Sequence, residues 1–194
     1  VTATHYVPQV VLALKDAKEK GLKIPVVYNC GGYESVETLQ MLEGLVDIYL
    51  PDFKYMDSER AKRYSRAENY PETAKKALAE MVRQQPEAVF DERGIMQKGV
   101  IVRHLMLPGG IKDSKAVVNY LYETYGDQIY LSLMNQYTPL PHVADYPEIN
   151  RQLKKFEYDR LVDYAISLGV ENGFIQEGET AKESFIPAFT NEGV

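Results

Sequence analysis

The chain has 194 residues, 45% of them hydrophobic and 26% charged, with a net charge of -6; this is the composition of a folded globular protein and not of a disordered or collagen-like one. An acidic surface argues against binding a phosphate backbone, which excludes nucleic acid as a partner, and no apolar run reaches the roughly 18 residues of a membrane span. The single cysteine, Cys30, excludes an intrachain disulfide and any multi-cysteine metal site within these residues.

Residues 1–194 are read as one domain. The start lacks a basic-then-apolar leader, so the expected location is cytoplasmic. His5, His104 and His142 share no metal-ligand spacing, and no metal is expected on these residues.

The first element is a helix, marked by apolar spacing near 3.6 through Val7, Val10, Val11, Leu14 and Ala17 and stopped at Gly21. A short β-branched strand follows from Ile24 to Tyr28, turning at Asn29, Cys30, Gly31 and Gly32. Ser35 caps a helix to about Leu42. Val46 to Leu50 reads as a buried strand ended by Pro51 and Asp52, and Asp57 or Ser58 caps a short helix. Pro71 opens another helix, with Ala74, Ala77, Leu78 and Met81 on one face up to Gln85. Val89 to Gln97 suggests a small hairpin around Asp91 and Gly94. Val100 to Leu107 is the clearest strand, stopped by Pro108, Gly109 and Gly110; Asp113 or Ser114 opens a helix that ends at Gly126. Ile129 to Met134 is the next strand. A proline-bearing loop, a helix from Lys155 to Leu168, a last strand from Gly173 to Gln176 and an irregular tail from Gly178 complete the chain.

Strands alternating with helices imply an α/β fold of parallel βαβ units. Two arrangements suit this order, an open doubly wound sheet or part of a (β/α) barrel. The chain starts at what reads as a strand end, so strands preceding Val1 are expected.

In both arrangements ligands bind at the carboxyl ends of the strands. Those ends are polar here: Thr4 and His5, Asn29, Asp52 and Lys54, Arg103, Asn135 to Thr138, and Gln176 with Glu177. Asn29 is either a turn residue or an amide offered to a ligand. Strand alternation sends Arg103 and Leu105 to one face and His104 and Met106 to the other, which makes His104 a core histidine. Arg103 needs an anion, from Asp52 or from a ligand carboxylate. Asp52 and Lys54 form either an acid/base pair or an internal salt bridge. Cys30 reads as a small core residue, not a nucleophile.

Several of these segments together resemble a known family. Thr4-His5-Tyr6-Val7-Pro8-Gln9, Val26-Val27-Tyr28-Asn29, Asp47 through Lys54, Val102 through Gly109, Ser132 through Tyr137 and Gly173 through Gly178 are similar, in order, to radical S-adenosylmethionine proteins related to pyruvate formate-lyase activating enzyme. The resemblance implies a partial (β/α) barrel of the radical SAM type, corresponding to the later two-thirds of the domain. It implies S-adenosylmethionine and a 4Fe-4S cluster as cofactors of the parent protein, a 5'-deoxyadenosyl radical as its product species, and a glycyl-radical enzyme or other protein as partner. Asn29, Arg103, Leu105, Met134 and Tyr137 match positions that line the cofactor; the activase carries Asp and His where this chain has Asn29 and Tyr137. The family's CxxxCxxC and Gly-Gly-Glu segments are absent and are expected upstream of Val1, so these residues alone are expected to bind no cofactor and to be inactive. The competing expectation is a metal-free barrel domain that binds a small ligand or peptide. Open strand edges further predict self-association.

Overall fold

A computed structural model describes residues 2–176. A short 3-10 turn over Thr4–Tyr6 runs directly into α1 (Val7–Glu19), with Pro8 in the first turn, where a missing N–H is harmless. Strand β1 is Val27–Cys30, later than the apolar run suggests. The cause is Pro25, which cannot donate to a ladder. The Val26 carbonyl accepts from Asp47 and Ile48 at 2.9 and 3.0 Å, and only from there does pairing start. Asn29 and Cys30 are therefore strand residues and not turn residues.

Ser35 caps α2 (Val36–Gln40) by accepting the Thr38 N–H at 3.1 Å. The helix ends sooner than expected, and tight turns carry Leu42 into the core, fully buried. Strand β2 (Ile48–Pro51) includes the proline read above as its terminator. Pairing of β2 with its far neighbour stops after Tyr49↔Val100 and resumes at the Asp52↔Arg103 bridge, so the missing N–H of Pro51 falls in a gap of the ladder.

Asp57 caps α3 (Ser58–Ser65) by accepting from the Glu59 and Arg60 N–H groups. Next comes α4 (Tyr70–Gln84), which lays Ala74, Ala77, Leu78 and Met81 into the core as the periodicity predicts. Strand β3 (Val89–Phe90) and the start of β4 (Met96–Leu105) form the hairpin, its turn held by Asp91 accepting from Arg93 and Ile95 N–H groups. Hairpin strand and barrel strand are thus one continuous element. α5 is Ile111–Tyr125; it begins two residues before Asp113, which serves instead as the acceptor of the Met56 and Asp57 N–H groups. Strand β5 (Tyr130–Met134), α6 (Lys155–Leu168, closed by Gly169 at φ 92°) and β6 (Gly173–Ile175) complete the described fold. Glu177 and the tail from Gly178 lie outside the described residues.

The parallel strands stand in the order β1-β2-β4-β5-β6, with β3 antiparallel beside β4. Spatial order follows chain order and never reverses. A doubly wound sheet needs such a reversal at its ligand crevice; a barrel segment does not. The sheet is thus wound as part of a barrel. Its outer face packs Tyr28, Cys30, Val100, Val102, Leu131 and Leu133 beneath the helices. Its concave face carries Val27, Asn29, Arg103, Leu105, Ser132 and Met134, all partly exposed.

Candidate functional site

All five parallel strands end at one rim, and there the polar strand ends meet. Arg103 sits on β4 with its side chain on the concave face. Its Nη2 lies 2.6 Å from Asp52 Oδ1 and donates to Asn29 Oδ1 at 2.7 Å. Three consecutive strands thereby converge on one guanidinium. The Arg103 and Asp52 side chains are 23% and 26% exposed, so this pair is screened less than a surface bridge and still reachable from the mouth. Arg103 Nε is buried with no hydrogen-bond partner, which leaves a donor of the fork unused.

Lys54 Nζ stands 3.6 Å from the other carboxylate oxygen of Asp52. Asp52 is thus flanked by two cations and acts as an anchor between them, which favours the internal salt bridge over an acid/base pair. The parallel register places Leu105 beside Met134 and Arg103 beside Ser132, so the floor next to the charged cluster is thioether and aliphatic. Tyr137 follows β5 in the loop. Its hydroxyl is buried and unpartnered, and burial, with Tyr55 and Tyr64 nearby, pushes the phenol above its ordinary range. Asn29, Asp52, Lys54 and Arg103 form a chain of direct contacts; Leu105 and Met134 are register partners; Tyr137, in the loop after β5, stands near Tyr55 and Tyr64 and meets none of these residues in a hydrogen bond.

His104 points the other way and is 1% exposed. Its Nδ1 meets the Phe53 carbonyl at 2.8 Å, while Nε2 is buried without a partner. Burial holds the imidazole neutral, with its pKa down at about 4. Cys30 also lies behind the sheet, and burial, reinforced by the nearby Glu34, pushes its thiol far above the thiolate range. Neither residue reaches the mouth.

Two residues outside the sequence-based site matter to its shape. Tyr70, the first residue of α4, is 3% exposed, and its hydroxyl lies within 3.1 Å of backbone groups from both the β1 and β2 ends. Gly32 has φ +75°, and a Cβ there would stand 2.0 Å from the Asp52 carbonyl oxygen. The glycine was legible as a turn; the tyrosine directly before Pro71 carried no signal beyond a helix start.

Whether the residues present fit the cofactors implied above differs between the two. For S-adenosylmethionine they fit: the partly exposed guanidinium of Arg103 suits its carboxylate, the exposed Asn29 amide suits a hydroxyl or amine, and Leu105 with Met134 suits an apolar ring. An iron-sulfur cluster is different. The chain has one cysteine, it is buried, and among the described residues no group of three or more His, Cys, Asp or Glu stands close enough to hold a metal ion.

No family model matches the chain. It is 29% identical over 158 residues to "Uncharacterized protein MJ0674" of Methanocaldococcus jannaschii, covering 81% of this chain and 43% of that protein. The chain thus spans less than half the length of that relative. The fold is similar to the crystal structure of a domain of pyruvate-formate lyase-activating enzyme from Bacteroides vulgatus, with a TM-score of 0.61, 14% identity, and coverage of 90% of this chain and 93% of that domain. This is an α/β fold with a parallel sheet and flanking helices, shared with an activating-enzyme domain.

Proposed function

We propose that this chain is the later part of a radical S-adenosylmethionine barrel, and that its rim grips the nucleotide while polypeptide outside these residues supplies the iron-sulfur cluster. The observation carrying this reading is the clamp of Asn29, Asp52 and Arg103 at the carboxyl rim, with Arg103 Nε buried and unpartnered. When bound with a reduced cluster, S-adenosylmethionine supplies a 5'-deoxyadenosyl radical. The residues here orient the cofactor. The guanidinium of Arg103 binds its carboxylate, the Asn29 amide meets a polar group of the methionyl or ribose part, and Leu105 and Met134 exclude water from the base.

The parent enzyme is then an activase-like oxidoreductase working in the cytoplasm, and its partner is a glycyl-radical enzyme or another protein substrate. These 194 residues alone carry no electron donor and are inactive. Calorimetric titration of the cluster-loaded parent protein with S-adenosylmethionine tests the reading. Saturable one-site binding is expected, weakened about tenfold or more in Arg103→Gln, in line with loss of a charge-assisted hydrogen bond. Wild-type parent protein that takes up no cofactor would sink the proposal.

The competing reading, a metal-free barrel domain for a small ligand or peptide, is favoured by the single buried cysteine. Iron and sulfide analysis of the protein as expressed from its own gene separates the two. About four irons per chain, as a 4Fe-4S cluster requires, support the radical enzyme; none supports the binding domain.

A further inference from the structure

We infer that Tyr70 is the positioning residue of the rim: its hydroxyl locks the ends of β1 and β2 together and so sets where Asn29 and Asp52 stand around Arg103. Tyr70 touches no ligand in this arrangement. It enters from α4, behind the sheet, and reaches three backbone groups. Its oxygen accepts the Lys54 N–H at 2.9 Å, and its proton is shared between the Gly31 carbonyl at 3.0 Å and the Asp52 carbonyl at 3.1 Å. Gly31 lies two residues beyond Asn29, and Asp52 itself holds Arg103. One phenol therefore joins the backbone at Asp52 and two residues beyond Asn29, close to both residues that meet the guanidinium.

The surroundings make this junction rigid. The Tyr70 ring stacks on Tyr33 at 5.7 Å and 20°, and meets Tyr55 edge-on at 5.7 Å and Phe53 edge-on at 6.4 Å. Tyr33 in turn donates its hydroxyl to Asn69, the residue before Tyr70, so the β1 loop holds the start of α4 from both sides. Gly32 is pressed against the same point, with the space of its missing Cβ lying 3.2 Å from the Tyr70 hydroxyl. Burial, the leading cause, pushes the phenol well above its ordinary range, so it stays protonated and able to donate across the accessible pH range. Replacing the hydroxyl with hydrogen leaves a buried N–H and two carbonyls without their partner. The strand ends are then free to separate, which opens the clamp.

The placement rests on the proposed cofactor reading only for the identity of the ligand. A two-part experiment on the full chain, wild type and Tyr70→Phe, distinguishes the two ideas. Side-chain NMR of Arg103 without any ligand reads the clamp directly. Slow guanidinium rotation with resolved Nη signals is expected in the wild type, and averaged signals are expected in Tyr70→Phe that keeps its far-ultraviolet circular dichroism. Titration of the cluster-loaded parent protein with S-adenosylmethionine is then expected to show affinity about tenfold weaker in the variant, because Asn29 and Asp52 no longer hold Arg103 in place. Unchanged Arg103 signals in a folded Tyr70→Phe overturn the inference, whether or not cofactor binds. Averaged signals together with no cofactor binding by wild type leave Tyr70 in its role and overturn the cofactor reading instead. Should Tyr70→Phe fail to fold, hydrogen exchange of the Lys54 amide in the wild type decides: strong protection supports the junction, and exchange at the rate of an open loop overturns it.

Discussion

His104 and Arg103 are neighbours with opposite fates, and strand alternation alone separates them. Arg103 faces the open concavity; His104 is buried with its Nδ1 on the Phe53 carbonyl and its Nε2 unsatisfied. Its native pKa of about 4 lies below the ordinary value of 6.5. The unfolded chain therefore binds a proton that the native one refuses, and stability falls as pH drops from about 6.5 towards 4. The loss across this window is roughly 3 kcal/mol. Urea unfolding of wild type and His104→Gln at several pH values is the check: the wild type is expected to lose stability more steeply below about pH 6.5, and equal slopes would contradict a neutral buried imidazole. The sidedness of Arg103 and Leu105 against His104 was legible at this scale because a strand has a period of two. The Asp52 partnership was not decided, since a carboxylate and a ligand satisfy a guanidinium equally well on paper.

Elements were read well wherever the periodic face was long. The helices α4 and α6 match their apolar spacing almost to the residue. Met81 illustrates the strength of that face. It is fully buried among the core residues, and Met81→Ala is expected to cost about 2–5 kcal/mol through lost transfer energy and the cavity left behind. A thermal melt should show this as a Tm fall of several degrees; a change below about 1 kcal/mol would mean that the site collapses around the smaller side chain. Element boundaries were harder. β1 and β2 each start and end later than their apolar runs: Pro25 delays β1, and Pro51 is carried inside β2 because its missing N–H falls where the neighbouring strand does not pair. Asp113 has the composition of a helix cap, yet its carboxylate is taken by the N–H groups of Met56 and Asp57, far away in sequence. Local propensity cannot see such a competitor.

Among the described residues, β1 and β6 end the row of parallel strands, each with a single neighbour. Val27 on β1 is 51% exposed and Ile24 before it 72% exposed. An apolar edge with unpaired backbone groups invites a second copy of the chain. Light scattering is expected to show a mass that grows with concentration, and Val27→Lys, which places a charge on that edge, is expected to return the chain towards monomer. A wild type that stays monomeric when concentrated rules this out. Among the described residues no helix is long and apolar enough to cross a membrane.

The parallel α/β character, the helix faces, the sidedness of β4 and the want of thiolates for a cluster all followed from residue order, because each depends on short-range periodicity or on a simple count. The choice of barrel winding over a doubly wound sheet, the closure of Asn29, Asp52 and Arg103 on one another, and the part played by Tyr70 needed the folded chain. Those features join residues tens of positions apart, and the distances between them are set only once the strands pair side by side and Tyr70 of α4 meets the β1 and β2 ends.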